Sequence, residues 1–487
     1  MKKLVWAVLI GAMCLMMAGC SDDTGQAVYT ISGKVYSAGE TKTGMPGVTI
    51  DLDGDLTMST TTDTNGAYSF IVPNGRYRIA PTKKSTTFNP PDNVFYVNDA
   101  NVSGMDIIEE LFGSTPAANT WKSTGSMATE RAEITLATLS DGRVLVAGGD
   151  NRSGSLNSAV ILGSAEIYDP TTGKWSTTGS MVYERVYHTL TTLRDGRVLV
   201  AGGMSNKRNV RASAEIYDPA TGQWTVTGSL NYERKYHTAT LLPDGRVLVA
   251  GGEADSGNLR ASAEIFDPAT GQWTATGSMA YNRYYHTMIL LHDGMVLVAG
   301  GYSTISTTGG RSLITNTELY NPTTGQWTAT GSLNIARKSH AMTLMAFGRV
   351  LIAGGEQDSS SATIKPTALT STEIYTPSSG KWEKTGSLNY ERYDHTMSLL
   401  PNGKLMVAGG FSQKENVRAS AETFDPATGQ WTATGSLNYE RTYHAMTPLS
   451  GGKVLIVGGM ADGFLNLTHF INSGGIRASA ELFYPGD

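Results

Sequence analysis

The amino-acid sequence predicts an all-β chain, a seven-bladed β-propeller preceded by a small β-sandwich, and three observations lead there. Glycine is abundant, at 56 of 487 residues, and only 17% of residues are charged, a composition of many short strands joined by tight turns. A diglycine recurs at Gly148-Gly149, Gly202-Gly203, Gly251-Gly252, Gly300-Gly301, Gly354-Gly355, Gly409-Gly410 and Gly458-Gly459. A tryptophan recurs at Trp121, Trp175, Trp224, Trp273, Trp327, Trp382 and Trp431, with spacings of 54, 49, 49, 54, 55 and 49 residues. Seven copies at this period describe a closed array of four-stranded blades.

The first element, residues 1–19, is a targeting segment. Met1-Lys2-Lys3 is basic and leads into the apolar run Leu4 to Met17, which is short for a membrane span and reads as the core of a signal peptide. The run ends Met17-Ala18-Gly19-Cys20, which resembles the bacterial lipobox, with Met17 where leucine is usual. That resemblance implies that Cys20 is acylated and becomes the mature N-terminus, and Ser21 after it implies delivery to the outer membrane. The alternative is a plain signal peptide that leaves Cys20 an idle thiol. Removing Lys2 and Lys3 leaves 36 basic against 43 acidic residues, a net charge of −7, so there is no basic footprint for nucleic acid. Cys14 and Cys20 are the only cysteines, which excludes a disulfide framework and cysteine-ligated metal.

After an anchor and linker at 20–27, residues 28–109 alternate apolar and polar in short runs such as Tyr29 to Tyr36 and Val48 to Leu52, the period of strands. Asn65-Gly66 and Asn74-Gly75 mark turns that require positive φ. Asp51, Asp53 and Asp55 suggest calcium, yet an EF-hand loop starting at Asp51 needs glycine and glutamate where Leu56 and Thr62 stand. A solvated strand end is the better reading. The stretch Asp63 to Ile79 resembles the carboxypeptidase regulatory-like domain, a transthyretin-like sandwich, which implies a spacer or accessory module.

A linker at 110–118 leads to the propeller, residues 119–487. In one unit His237 to Leu242 forms strand a and Asp244-Gly245 a two-residue type I′ hairpin; Val247 to Ala250 forms strand b, apolar on both faces. Ala261 to Phe266 forms strand c, and Trp273 opens strand d, expected to pack on the next blade. The last unit stops after strand c at Phe483, while Trp121 stands ahead of the first unit. The segment around Trp121 therefore supplies strand d of the last blade and closes the ring. From Asn119 onward the repeats resemble those of bacterial kelch proteins, including the galactose oxidase propeller.

Two charged residues recur in every unit: Arg131, Arg185, Arg234, Arg283, Arg337, Arg392 and Arg441, and Glu166, Glu215, Glu264, Glu318, Glu373, Glu422 and Glu481. His188, His237, His286, His340, His395 and His444 follow the arginine by three residues, with Ile134 in the remaining unit. A residue that repeats in every blade does the same local work in each, so these are expected to be scaffold rather than a metal ring. Galactose oxidase chemistry uses a copper radical site with a tyrosine cross-linked to cysteine, and its absence from residues 21–487 excludes that activity. No catalytic residue, metal or cofactor is assigned.

Length variation points to the working face. The b–c loops are short at 204–211, 253–260 and 411–418 and long at 150–163, 302–316, 356–370 and 460–477. On that face Tyr183, Tyr232, Tyr281, Tyr302, Tyr390 and Tyr439 can stack on sugars or peptides, and His469 with Phe470 breaks the repeat pattern. The expectation is a monomeric lipoprotein of the cell outer membrane, touching the membrane only through its N-terminal lipid. It binds a glycan or an envelope or extracellular protein through the b–c loop face. The alternatives are a cofactor-free sugar isomerase, resembling the kelch sialic acid mutarotase, and a purely structural envelope protein.

Overall fold

The computed structural model describes residues 20–21, 27–37, 43–54, 56–82, 87–89, 93–97, 101–103, 107–110, 118–151, 160–304, 310–357, 367–413, 416–461 and 475–486. The chain forms two compact units, a sandwich and a propeller.

The sandwich stacks two sheets. One pairs Ala27–Tyr36 with Ala67–Val72 and Ile107–Glu110; the other orders Met58–Thr61, Thr49–Gly54, Gly75–Thr82 and Asn93–Val97. Alternation sends Ile31, Val35, Ile50, Leu52, Phe70, Val72, Tyr77 and Ile79 inward to one core. Gly66 turns the chain at φ 76°, where Asp63 Oδ1 accepts the amides of Asn65 and Ala67 at 2.8 Å. Asp51 lies mid-strand opposite Ser59 and Ala80, away from any loop.

The propeller has seven four-stranded antiparallel sheets, numbered here blades 1 to 7. Six are each built from one stretch of chain, for example Thr238–Leu241, Val247–Ala250, Ala263–Asp267 and Gln272–Thr276 as strands a to d of blade 3. Blade 7 joins Ala445–Pro448, Val454–Val457 and Ala480–Tyr484 to Thr120–Thr124 from the front of the unit. The closure read from the sequence is therefore present: Asn119 N donates to Tyr484 O at 2.7 Å, and the Trp121 ring lies 5.1 Å from that of Phe483.

Each strand b is buried throughout, as its unbroken apolar run requires. Two local expectations are corrected. The a–b hairpin is not type I′: in blade 3 Gly245 N bonds Leu242 O at 3.0 Å and Gly245 alone takes positive φ, at 91°, while Asp244 does not. This is a type I turn followed by a left-handed glycine, and it recurs where Ser140, Arg194 or His292 stands in place of Pro243, with Gly142, Gly196 and Gly294 bonding Leu139 O, Leu193 O and Leu291 O. The tryptophans pack on the preceding blade rather than the next, Trp224 against Leu139 and Ile167 of blade 1, Trp273 against Leu199 and Ile216 of blade 2. Strand d runs along the outer edge of its blade, and Trp224 Nε1 reaches back to Gly179 O at 2.8 Å.

The diglycine ends strand b where two blades meet. In blade 1 Gly148 and Gly149 take φ of 70° and 89°, and a Cβ on Gly148 would lie 2.5 Å from Arg185 O of blade 2. The Gly149 amide uses that approach to bond the same carbonyl at 3.0 Å. The contact recurs to the last junction, where Gly459 N bonds Arg131 O at 3.0 Å.

Candidate functional site

The repeated charges are scaffold. Each arginine lies buried in its blade 2.6–2.9 Å from the glutamate of its own strand c, with both side chains at most 2% exposed. Nη1 also donates to the first glycine carbonyl, as Arg234 does to Gly251 O at 2.7 Å. The glutamate then accepts amides of the d–a crossing, as Glu264 does from Asn231 and Tyr232 at 2.6 and 3.3 Å. Burial lowers the guanidinium pKa of Arg131, Arg185, Arg234, Arg283, Arg337 and Arg392, and the paired carboxylate opposes the fall. Such a pair ties strand, crossing and diglycine into one unit.

The histidines are scaffold as well, one per junction. Nε2 meets the threonine hydroxyl at the start of strand a of the preceding blade: Thr135–His188 at 3.4 Å, Thr189–His237 at 3.2 Å, Thr238–His286 at 2.8 Å, Thr287–His340 at 2.7 Å and Thr396–His444 at 2.8 Å. Where Ile134 replaces histidine, the preceding strand a starts with Ala445, so both partners turn apolar together. Burial beside an arginine keeps these rings neutral, with the pKa of His188, His340 and His444 lowered to about 3. Among the described residues no three His, Cys, Asp or Glu side chains are grouped to hold a metal.

Between each arginine and histidine stands a residue whose backbone repeats and whose side chain does not. Glu133, Tyr187, Tyr236, Tyr285, Ser339, Asp394 and Tyr443 all take φ of 49–59°, a left-handed conformation that costs non-glycine residues about 1–3 kcal/mol each. They stand two residues ahead of the innermost strands and form a partly buried ring on the b–c loop face. Ser339 N bonds Tyr285 O at 3.4 Å and Asp394 N bonds Ser339 O at 3.0 Å, linking neighbouring blades.

The ring is uneven. On one side the Tyr187, Tyr236 and Tyr285 rings follow one another at 4.1 and 4.5 Å between centroids. Lys235 lies 5.5 Å from the Tyr236 centroid and Lys338 5.5 Å from that of Tyr285; the two lysines pair with Glu253 and Glu356. On the other side Asp394 accepts hydrogen bonds from the Ser339 and Tyr443 hydroxyls, while burial pushes its pKa up to about 6. Burial raises the phenol pKa of Tyr236 and Tyr285, and the Asp394 charge with burial raises that of Tyr443; the Glu133 charge adds to each. Convergent phenols, a hydroxyl and two carboxylates form a polar site with a fixed orientation.

The tyrosines expected on this face lie on it, outside the ring. Arg211 covers Tyr183 at 5.1 Å, Arg260 covers Tyr232 at 4.9 Å, Arg418 covers Tyr390 at 5.1 Å and Arg477 covers Tyr439 at 5.0 Å. Each arginine also pairs with the glutamate after its tyrosine, Glu184, Glu233, Glu391 or Glu440. Tyr281 is followed by Asn282 instead, and Ile314 stands where the arginine would be. Tyr302 stacks on Tyr284 at 5.6 Å beneath Lys338. His469 and Phe470 lie outside the described residues. The ring itself escaped the sequence reading, although its signal is in print: the position before histidine reads Glu, Tyr, Tyr, Tyr, Ser, Asp, Tyr.

Fold and repeats define the class: a seven-bladed β-propeller together with an N-terminal β-sandwich. Residues 134–355 match the family model of the KLHDC2/KLHL20/DRC7 Kelch-repeats domain, and residues 27–108 match that of the BOS complex subunit NOMO1-like second beta sandwich domain. Among solved structures the chain is similar to a fungal alcohol oxidase of the AA5 family in complex with copper. That likeness has 18% identity over 76% of each chain and a TM-score of 0.59, and it concerns the fold alone. No curated protein matches in sequence.

Proposed function

We propose that this protein is a glycan-binding lipoprotein of the cell envelope whose propeller holds its ligand at the axial ring. One observation carries the reading: seven equivalent positions keep one strained backbone and vary only in side chain, from Glu133 through three tyrosines to Ser339 and Asp394. Strain maintained where the side chains serve no repeated structural purpose is a mark of a binding site. Aromatic faces with hydrogen-bonding phenols and carboxylates suit a ring of hydroxyls. The protein with Cys20→Ser, applied to an array of immobilised glycans, is expected to retain a limited set and to lose it with Tyr236→Ala. An array left blank, or retention unchanged by that substitution, overturns the reading.

The lipid anchor is tested separately. Labelling with a fatty acid marks the wild type and not Cys20→Ser; label kept in the variant removes the anchor.

A second reading, a cofactor-free sugar isomerase, is favoured by Asp394, a carboxyl group raised to about 6 inside a polar site, as an acid–base group requires. Anomer interconversion followed by NMR decides it. Acceleration by the wild type and none by Asp394→Asn supports catalysis.

A further inference from the structure

One junction departs from the rest, and it adjoins the ring. At five junctions the histidine Nε2 meets a threonine hydroxyl, and at the Ile134 junction both partners are apolar. Between blades 5 and 6 the histidine is kept and the threonine is not: His395 faces Ala341. His395 is 6% exposed, and neither ring nitrogen has a hydrogen-bond partner among the described residues. A buried imidazole without partners calls for an explanation. The ring is also at its narrowest side chain there, with Ser339 two residues before Ala341 and Asp394 directly before His395. Three departures from the repeat, Ser339, Ala341 and Asp394, thus fall at a single junction. Together they remove bulk and add one acceptor on the ring beside another beneath it.

We infer that this junction is the subsite for a primary ammonium group, and that the ligand is an amino sugar. The inference rests on the glycan reading and names its class. The ammonium donates to the Asp394 carboxylate and to Nε2 of the neutral His395, in the place that a threonine hydroxyl takes elsewhere, with Tyr285 and Tyr443 on either side. Lys338, the nearby cation, is held by Glu356. A hydroxyl has one proton and donates either to His395 or to the carboxylate; an ammonium, with three N–H groups, donates to both at once and is drawn to the aromatic flanks as well.

Calorimetry on the Cys20→Ser protein with glucosamine, N-acetylglucosamine, glucose and cadaverine tests this. Glucosamine is expected to bind, and N-acetylglucosamine and glucose to bind about tenfold or more weakly, the cost of losing a charge-assisted hydrogen bond. Ala341→Thr restores the residue found at five other junctions, so it keeps the fold and should abolish glucosamine binding; Asp394→Asn should weaken it similarly. Melting temperatures of both variants control for folding. Equal binding of glucose or N-acetylglucosamine overturns the subsite and leaves the glycan reading standing. Cadaverine bound without any sugar supports the ammonium subsite and overturns the sugar. Glucosamine binding that survives Ala341→Thr, or no binding by any probe, overturns the inference.

Discussion

The repeated scaffold and the axial ring share a backbone and differ in everything else. Arg234, Glu264, His237 and Gly251-Gly252 have counterparts in nearly every blade, are buried, and bond chiefly to one another and to main chain. Tyr236 is the immediate neighbour of His237, yet its six counterparts include a glutamate, an aspartate and a serine. In a closed array, chemistry that repeats is chemistry that builds, and a ligand is met where the backbone keeps its symmetry and the side chains break it.

The largest test of the scaffold half is acid. All six junction histidines have pKa values below the ordinary 6.5, because burial disfavours the imidazolium. The folded chain keeps them neutral while the unfolded chain protonates them below 6.5, so stability falls as pH drops from about 6.5 toward 3. Six protons taken up on unfolding give a limiting slope of roughly 8 kcal/mol per pH unit near pH 5. Denaturant melts between pH 7 and 4.5 should show it, and a flat profile there contradicts the neutral histidine scaffold.

A single buried pair comes next. Arg234→Ala strands Glu264 as an unpaired buried charge and should cost about 3–5 kcal/mol, read as a shift in the unfolding midpoint. Trp121→Ala, which opens the closing strand of blade 7, should cost about 3–5 kcal/mol by cavity formation. A melt unchanged by the latter means the ring is not closed through Thr120–Thr124. The smallest effect has the opposite sign: Ala341→Thr gives His395 the hydroxyl that its counterparts have and should stabilise by about 1 kcal/mol.

Much of this was legible in the sequence, and the limits have physical causes. Seven tryptophans, seven diglycines and the missing strand d after Phe483 were enough to predict the blades and the closure, because each is a strong local constraint repeated. The direction in which Trp224 packs was not, since a strand pattern says what is buried but not against which neighbour. The turn type at Asp244 was not legible because Asp-Gly suits both a two-residue I′ turn and a type I turn followed by a left-handed glycine. The exposed tyrosines were visible as aromatic, but their covering arginines lie 28 to 38 residues away in sequence, on the returning side of the b–c loops. The ring was hidden for a different reason: its side chains do not repeat, and positive φ at Tyr236 or Asp394 leaves no mark in the sequence when the residue is not glycine.

The central claim is that ligand binding resides in the unevenness of the ring and not in the scaffold beneath it. The most direct measurement replaces Glu133 and Asp394 together by serine, the residue the ring already holds at Ser339, and compares glycan-array retention and melting temperature with the wild type. The account predicts a melting temperature at or above the wild-type value, since two partly buried carboxyls are removed, together with loss of retention. Retention undiminished in a folded double variant would contradict it.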